Sequence, residues 1–302
     1  MKILLDNVNL KSSSGPNHFG NKIKKYLEKI DNVCDISVNN PDVQLSFIAA
    51  TRYNKEIPLV QRLDGIYFDI TKNHQLENYN IIETYKRAKG VIFQSEFSKN
   101  LVFKYFGPHE NSVVIHNGSD LEMIDSIVPL KHEKYEKYDN IWCCASQWRG
   151  WKRLGDNVRF FLEFAGKNDC LIVAGNPSPE EIVQHERIFY IGNVEPKTLF
   201  SIFKLSKYFI HLARYDACPN VVVDARACGC QIICCSNGGT KEISGLNAKV
   251  VQEEEWDLEP IEVNAPPSLN FETIEENYYN SNIDMKFVAK KYNDFMIGLN
   301  NK

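Results

Sequence analysis

The run Tyr215-Asp216-Ala217-Cys218-Pro219-Asn220-Val221-Val222-Val223-Asp224 sets one carboxylate just past an apolar stretch and a second inside the segment that follows. A carboxylate at a strand end can hold sugar hydroxyls, and one about a helical turn further in can take a ribose diol. Aspartate near a helix start is also ordinary capping chemistry, so the pattern leaves both readings open. Trp148-Arg149-Gly150-Trp151-Lys152-Arg153 is a dense basic and aromatic cluster. Basic groups of this kind suit a diphosphate, because they stabilise both bound charge and a departing phosphate; the alternative is a solvated basic turn. Two glycine-bearing segments add backbone amides. Ser236-Asn237-Gly238-Gly239-Thr240-Lys241-Glu242 follows an apolar strand, and Ser12-Ser13-Ser14-Gly15-Pro16-Asn17 follows the first one. Both suit an oxyanion at a helix start, and both equally suit an ordinary turn. Asn21 stands where a P-loop needs lysine, and no G-x-G-x-x-G occurs.

These candidates hang on alternating strands and helices. Apolar strands are predicted at Met1–Leu5, Val43–Ala49, Pro58–Leu63, Gly90–Gln94 and Ser112–His116, with helices at Gly15–Ile30, Asn80–Ala88 and Ser95–Tyr105, the last capped by Ser95. A charged stretch, Lys131–Asn140, precedes a second series. Its strands are Ile141–Ala145, Cys170–Ala174, Ile188–Ile191, Tyr208–Leu212, Gln231–Cys235 and Ala248–Val251. Its helices are Leu154–Gly166, Pro179–His185, Pro196–Leu205 and Asn220–Cys228, and Phe271–Asn280 and Asp284–Gly298 are read as helical. The pattern predicts an α/β protein of two doubly wound, Rossmann-like parallel-sheet domains, with ligands outside the strand C-terminal ends. The boundaries expected are 1–138 plus a returning helix at 283–302 for the first domain and 139–282 for the second.

A length of 302 residues fits two domains, and 43% hydrophobic with 25% charged residues is ordinary globular usage. The net charge of −4 argues against a general nucleic-acid binder. No apolar run is long enough to span a bilayer, so a cytoplasmic protein is expected. Lys22, Lys24 and Lys25 with Tyr26 and Leu27 on one helix suggest either a peripheral membrane face or a solvated helix face. The nine cysteines form no C-x-x-C, the seven histidines share no spacing, and no metal site is expected. His211, at the end of a strand, is read as a packed strand residue.

Taken in order, Ile191-Gly192-Asn193-Val194, Tyr208–Leu212, Asp216 to Gly229 and Ser236 to Ile243 resemble the nucleotide-binding half of a GT-B glycosyltransferase of family 4. Gly15, Gly90-Val91-Ile92-Phe93-Gln94-Ser95 and Ile115-His116-Asn117-Gly118-Ser119-Asp120 extend the resemblance to the first half, the last being similar to the family's I-P-N-G-x-D. The resemblance implies two domains facing a cleft and a metal-independent, retaining transfer of a sugar from a nucleotide diphosphate donor, a UDP- or GDP-sugar, to a glycan or lipid-linked hydroxyl. It places Lys152 on the diphosphate, and Asp216 and Asp224 at the two acids of the E-x7-E motif, on donor sugar and ribose. It puts Gly238, Gly239 and Thr240 at a turn giving amides to sugar or phosphate. Gly15, with Pro16 and Asn17, lies over the phosphates, Val194 near the base, and Asn220 joins the donor-binding set.

Three positions depart from the family pattern. Both acids are aspartate rather than glutamate, Gln147 replaces an arginine that Arg149 could stand in for, and Asp64 occupies the place of a frequent histidine. Asp64 either orients a sugar in catalysis or pairs with Arg62. The departures motivate an alternative, a catalytically weak or inactive GT-B protein that binds nucleotide or sugar or serves as a partner subunit. A nucleotide-sugar epimerase of similar fold is a third reading, with no extra acid–base pair to argue for it.

Overall fold

The computed structural model describes residues 1–12 and 15–300; Ser13 and Ser14 of the first glycine loop lie outside the described residues. In chain order the elements begin with β1 (Lys2–Asp6), α1 (Gly15–Glu28), β2 (Val33–Asp35), β3 (Val43–Phe47), β4 (Leu59–Leu63), α2 (His74–Arg87), β5 (Gly90–Phe93), α3 (Glu96–Phe106) and β6 (Ser112–Val114). Then come α4 (Leu121–Asp125), α5 (Glu133–Glu136), β7 (Ile141–Ala145), α6 (Leu154–Phe164), β8 (Cys170–Ala174), β9 (Ile188–Gly192), α7 (Pro196–Leu205) and β10 (Tyr208–His211). The chain finishes with α8 (Asn220–Ala227), β11 (Gln231–Cys235), α9 (Thr240–Ile243), β12 (Lys249–Val251), β13 (Ile274–Glu276) and α10 (Met285–Asn300).

The chain divides into two compact units, 1–119 with 258–261 and 282–302, and 120–257 with 262–281. In the first, a six-stranded parallel sheet has the order β2-β1-β3-β4-β5-β6. Its four inner strands, β1, β3, β4 and β5, are nearly continuous runs of buried residues, as a sheet covered by helices on both faces requires. Phe19, Ile23, Tyr26 and Leu27 of α1 pack with Tyr292 and Met296 of α10 in one core. Gly90 and Gly118 let α10 close in, since a Cβ at Gly90 would lie 2.4 Å from Leu299 Cδ1 and one at Gly118 2.9 Å from Met285 Sδ. Of the residues read together on this helix, Lys24 and Lys25 stay at the surface while Lys22, Tyr26 and Leu27 are buried. At helical spacing Tyr26 and Leu27 turn into the core, and the buried Lys22 donates to the Gly118 carbonyl at 2.7 Å.

The second unit has the order β13-β12-β11-β10-β7-β8-β9, parallel except for β13. The chain passes into this unit earlier than the sequence suggests, after Ser119. Ser201 and Lys204 of α7 donate to the carbonyls of Val128 and Ile127 at 2.7 Å each, Leu130 N–H donates to the Ser201 carbonyl, and Tyr135 packs edge-on against Phe189. These contacts bind 120–140 to the second sheet.

Two predicted helices are absent. Pro179–His185 makes a single turn of 3-10 helix, Pro179–Glu181, because the Val183 N–H goes to the Tyr190 hydroxyl rather than onward along a helix. Phe271–Asn280 instead supplies β13, which pairs antiparallel with the open edge of β12 and sets Val251 opposite Ile274. Tertiary pairing overrides local periodicity there. Among the described residues no helix is long and apolar enough to cross a membrane.

Candidate functional site

In the second sheet β7 is flanked by β10 and β8, and the order reverses between β7 and β10. The loops leaving these two strands run in opposite directions and open a crevice at their C-terminal ends. Both loops carry ionisable candidates. After β7, residues Gly150–Lys152 form a 3-10 turn, and Arg153 follows in the left-handed region at φ 53°. The turn is wedged against the chain at Asn264: a Cβ on Gly150 would lie 1.9 Å from that carbonyl oxygen. Arg153 is buried and points away from Lys152, donating through Nη2 to Glu253 Oε2 and the Pro267 carbonyl at 2.9 Å each. With Arg153 anchored on one side, Lys152 reaches to the other.

Its target is Asp216, in the loop after β10. Lys152 Nζ lies 2.5 Å from Asp216 Oδ2 and 3.9 Å from the Trp151 ring centre, and His211 Nε2, from the end of β10, lies 2.6 Å from the same Oδ2. Burial pushes the Asp216 carboxyl up. The Lys152 charge and the His211 hydrogen bond outweigh it and hold the group well below the usual carboxylate range. Burial also lowers both partners: the Lys152 ammonium, despite Asp216 and with the charge of Arg149 adding to the fall, and the His211 imidazole, despite Asp216. His211 is therefore neutral near pH 7, and its contact with a carboxylate places the proton on Nε2, so this nitrogen donates.

The glycine turn after β11 locks onto the same loop. Gly238 adopts φ +83°, and a Cβ there would come within 2.8 Å of the Arg214 carbonyl oxygen and 3.0 Å of that of Asp216. Only glycine fits such an approach. Gly239 N–H donates to the Asp216 carbonyl at 2.8 Å. This corrects the expectation that both glycines offer amides to a ligand, because the Gly239 amide is spent on holding the Asp216 loop. Thr240 is fully buried at the start of α9, with no hydrogen-bond partner at Oγ1 among the described residues.

The remaining candidates lie apart from this trio in kind. Asn220 opens α8 and Asp224 lies one turn further on, only 4% exposed. Val194 follows β9, half-buried. Arg149 is exposed beside Lys152. In the first unit Gly15 and Pro16 begin α1, and Asn17 Oδ1 accepts from Asn9 N–H at 2.9 Å, closing the described part of the glycine loop on itself. Asp64 pairs with the buried Arg62, whose Nη2 donates to Asn117 Oδ1 at 2.9 Å while Asn117 Nδ2 donates to Gln94 Oε1 at 2.9 Å. The guanidinium rests 4.1 Å from the Phe19 ring centre. The pairing with Arg62, one of the two readings for Asp64, is present. Burial raises its carboxyl, against the pull of Arg62 and Gln94.

Sequence reasoning missed His211, read as packing alone, and the Arg153–Glu253 anchor. The signal for His211 was a lone polar residue in a central, fully apolar strand, five positions before a carboxylate.

Residues 141–258, all but the last of them in the second unit, match the profile of the family described as Glycosyl transferases group 1. No curated protein matches the chain in sequence. Among solved structures, a glycosyltransferase from Rickettsia africae ESF-5 aligns with TM-score 0.66 at 15% identity, over 99% of this chain and 98% of that one. A glycosyltransferase involved in avilamycin A biosynthesis aligns with TM-score 0.66 at 11% identity, over 100% and 98%. HepE from Anabaena, solved in complex with UDP and glucose, aligns with TM-score 0.60 at 14% identity, over 87% of each chain. At these identities the likeness is one of fold: the α/β architecture of two parallel-dominated sheets, with a C-terminal helix packed on α1, is that of the GT-B glycosyltransferases.

Proposed function

We propose that this protein is a retaining glycosyltransferase of the family 4 type, moving a hexosyl group from a nucleoside diphosphate sugar to a hydroxyl of a glycan or lipid-linked acceptor. The observation that carries the reading is the Lys152–Asp216 pair. It is a cation and a carboxylate brought together at the switch point of the sheet, inside the segment with the group 1 glycosyl transferase profile. UDP is the first base to consider, since HepE was solved with UDP and with UDP-glucose.

In this reading Lys152, with Arg149 beside it, takes the oxygens of the diphosphate, so side-chain cations rather than a metal carry its charge. Asp216 accepts hydrogen bonds from hydroxyls of the transferred sugar, and Asp224 from the ribose. The bond from the sugar C1 to the phosphate oxygen breaks, and a bond from C1 to the acceptor oxygen forms on the same face. The acceptor proton passes to the departing phosphate oxygen. The protein contributes positioning and charge stabilisation in place, without reorganising as the leaving group gains charge.

A thermal-shift panel with UDP, GDP, ADP, CDP and dTDP and the matching sugar nucleotides tests this. A ligand at about a hundred times its dissociation constant stabilises the native state by about 2.7 kcal/mol. The expected result is a clear shift with one base, UDP first, and turnover of its sugar nucleotide. No shift with any nucleotide overturns the reading in favour of a partner subunit without a working diphosphate site.

A further inference from the structure

Asp216 receives both of its side-chain donors on one oxygen. Lys152 Nζ and His211 Nε2 both meet Oδ2, at 2.5 and 2.6 Å, and among the described residues no donor is recorded on Oδ1. The two donors differ in how firmly they are held. Lys152 sits at the end of a flexible four-carbon stem on a short turn. The His211 ring is 3% exposed at the end of a central strand, parallel to the Phe209 ring with centroids 6.3 Å apart. The ammonium can swing away to a phosphate; the imidazole has nowhere else to go.

We propose that His211 is the positioning residue for Asp216, fixing Oδ2 to the sheet so that Oδ1 is presented to a hydroxyl of the donor's sugar, and that, among the described residues, it is the side-chain donor left on the Asp216 carboxylate once Lys152 has moved to the diphosphate. The proposal rests on the glycosyltransferase reading above. In the ligand-free protein the ammonium neutralises the carboxylate. A diphosphate, with more negative charge, competes for that ammonium, and Asp216 would then be left buried without its cation. A neutral Nε2–H stabilises the carboxylate as an acceptor without adding a charge that would repel Lys152 on its return. The charged groups facing His211 are Asp216 and Lys152. Its strand neighbour on β11, Cys234, is a thiol pushed up to about 12 by burial and adds no charge.

The test compares wild type, His211→Phe and His211→Gln, with UDP binding by calorimetry and UDP-glucose turnover across pH. For His211→Phe the expected result is UDP affinity within about threefold of wild type. Its kcat/KM for UDP-glucose should fall by about tenfold or more, the worth of one hydrogen bond to a charged group. The acid limb of its pH profile should move to higher pH, because Asp216 loses a group that favours its ionised form. In His211→Gln an amide N–H replaces the imidazole donor, and the limb and part of the rate should return. Equal melting-point losses in both variants with an unmoved limb would mean packing alone and overturn the proposal. Nitrogen-15 shifts of the His211 ring give a readout free of turnover. A neutral Nε2–H tautomer at pH 7 is required, and an imidazolium or an Nδ1–H tautomer overturns the proposal even if His211→Phe fails to fold. Wild type that binds no UDP and transfers no sugar sinks the glycosyltransferase reading, while the ring measurement still decides whether His211 pins Asp216 through Nε2–H.

Discussion

Asp6 and Asp216 occupy comparable places in the two units, each at or just beyond the C-terminal end of a strand beside the reversal of its sheet, β1 next to β3 and β10 next to β7. Both are pulled toward the neutral form by burial and held ionised by their partners. The partners differ. Asp6 is saturated: Oδ2 accepts from Gln44 Nε2 at 3.0 Å, Ser46 Oγ at 2.9 Å and Thr51 N–H at 2.8 Å, and Oδ1 takes the Thr51 hydroxyl with Arg52 beside it. Asp216 has a cation and an imidazole on one oxygen. A carboxylate with every lone pair engaged by short neutral donors ties a loop down, here 49–52. One held on a single oxygen by an ammonium and an imidazole, with no donor on its other oxygen among the described residues, has capacity left for a ligand. The strand end favours carboxylates in both units; the way each is satisfied separates structure from chemistry.

Removing the cation should give the largest effect. Lys152→Ala is expected to lower donor turnover by about a hundredfold or more, as for loss of one charge-stabilising group in a preformed site. Its melting temperature should change less than that of any Asp6 variant. Retained turnover would mean that Lys152 belongs with the structural pairs.

Asp6→Ala should reverse the pattern. With the Ser46 hydroxyl and the Thr51 N–H left without their acceptor, stability is expected to fall by about 2–4 kcal/mol in urea unfolding, with nucleotide binding unchanged in the folded fraction. The pH dependence has a definite sign. The folded carboxyl of Asp6 lies below its ordinary value. Its contribution is therefore full above pH ~4, the unfolded value, and is lost as pH falls through the folded one. The gap between wild type and Asp6→Ala should close on acidification below pH ~4, and a gap constant with pH would contradict the saturated-carboxylate account.

Arg52→Ala should do least. Its Nε is 3.5 Å from Asp6 Oδ1 and its side chain is 53% exposed, so a loss below about 1 kcal/mol is expected. A larger loss would show that charge rather than neutral hydrogen bonds holds Asp6.

Much of this was legible in the chain. The apolar runs at Ile141–Ala145, Cys170–Ala174 and Gln231–Cys235 gave strands at those positions, and Pro196–Leu205 gave its helix, because fully buried parallel strands and a helix opened by proline leave strong local signatures. β13 was not legible, since an edge strand is chosen by the strand that captures it. Nor was the turning of Tyr26 and Leu27 into the core by α10, whose residues lie more than 250 positions away in sequence.

The site divides in the same way. Residue types and spacing marked the Trp148–Arg153 cluster, the Asp216 and Asp224 pair and the Gly238–Thr240 turn as candidates, and the family resemblance then singled out Lys152 among the basic residues. Only the tertiary structure decided what each of them does. Lys152 and Asp216 are 64 residues apart and meet because β7 and β10 are neighbours. Gly239 spends its amide on Asp216 because the loop after β11 folds over the loop after β10. His211 becomes a hydrogen-bond donor rather than filler because the chain turns back above it within five residues. Local pattern sets which side chains are available at the strand ends; the sheet order sets which of them touch, and a hydrogen bond needs the contact.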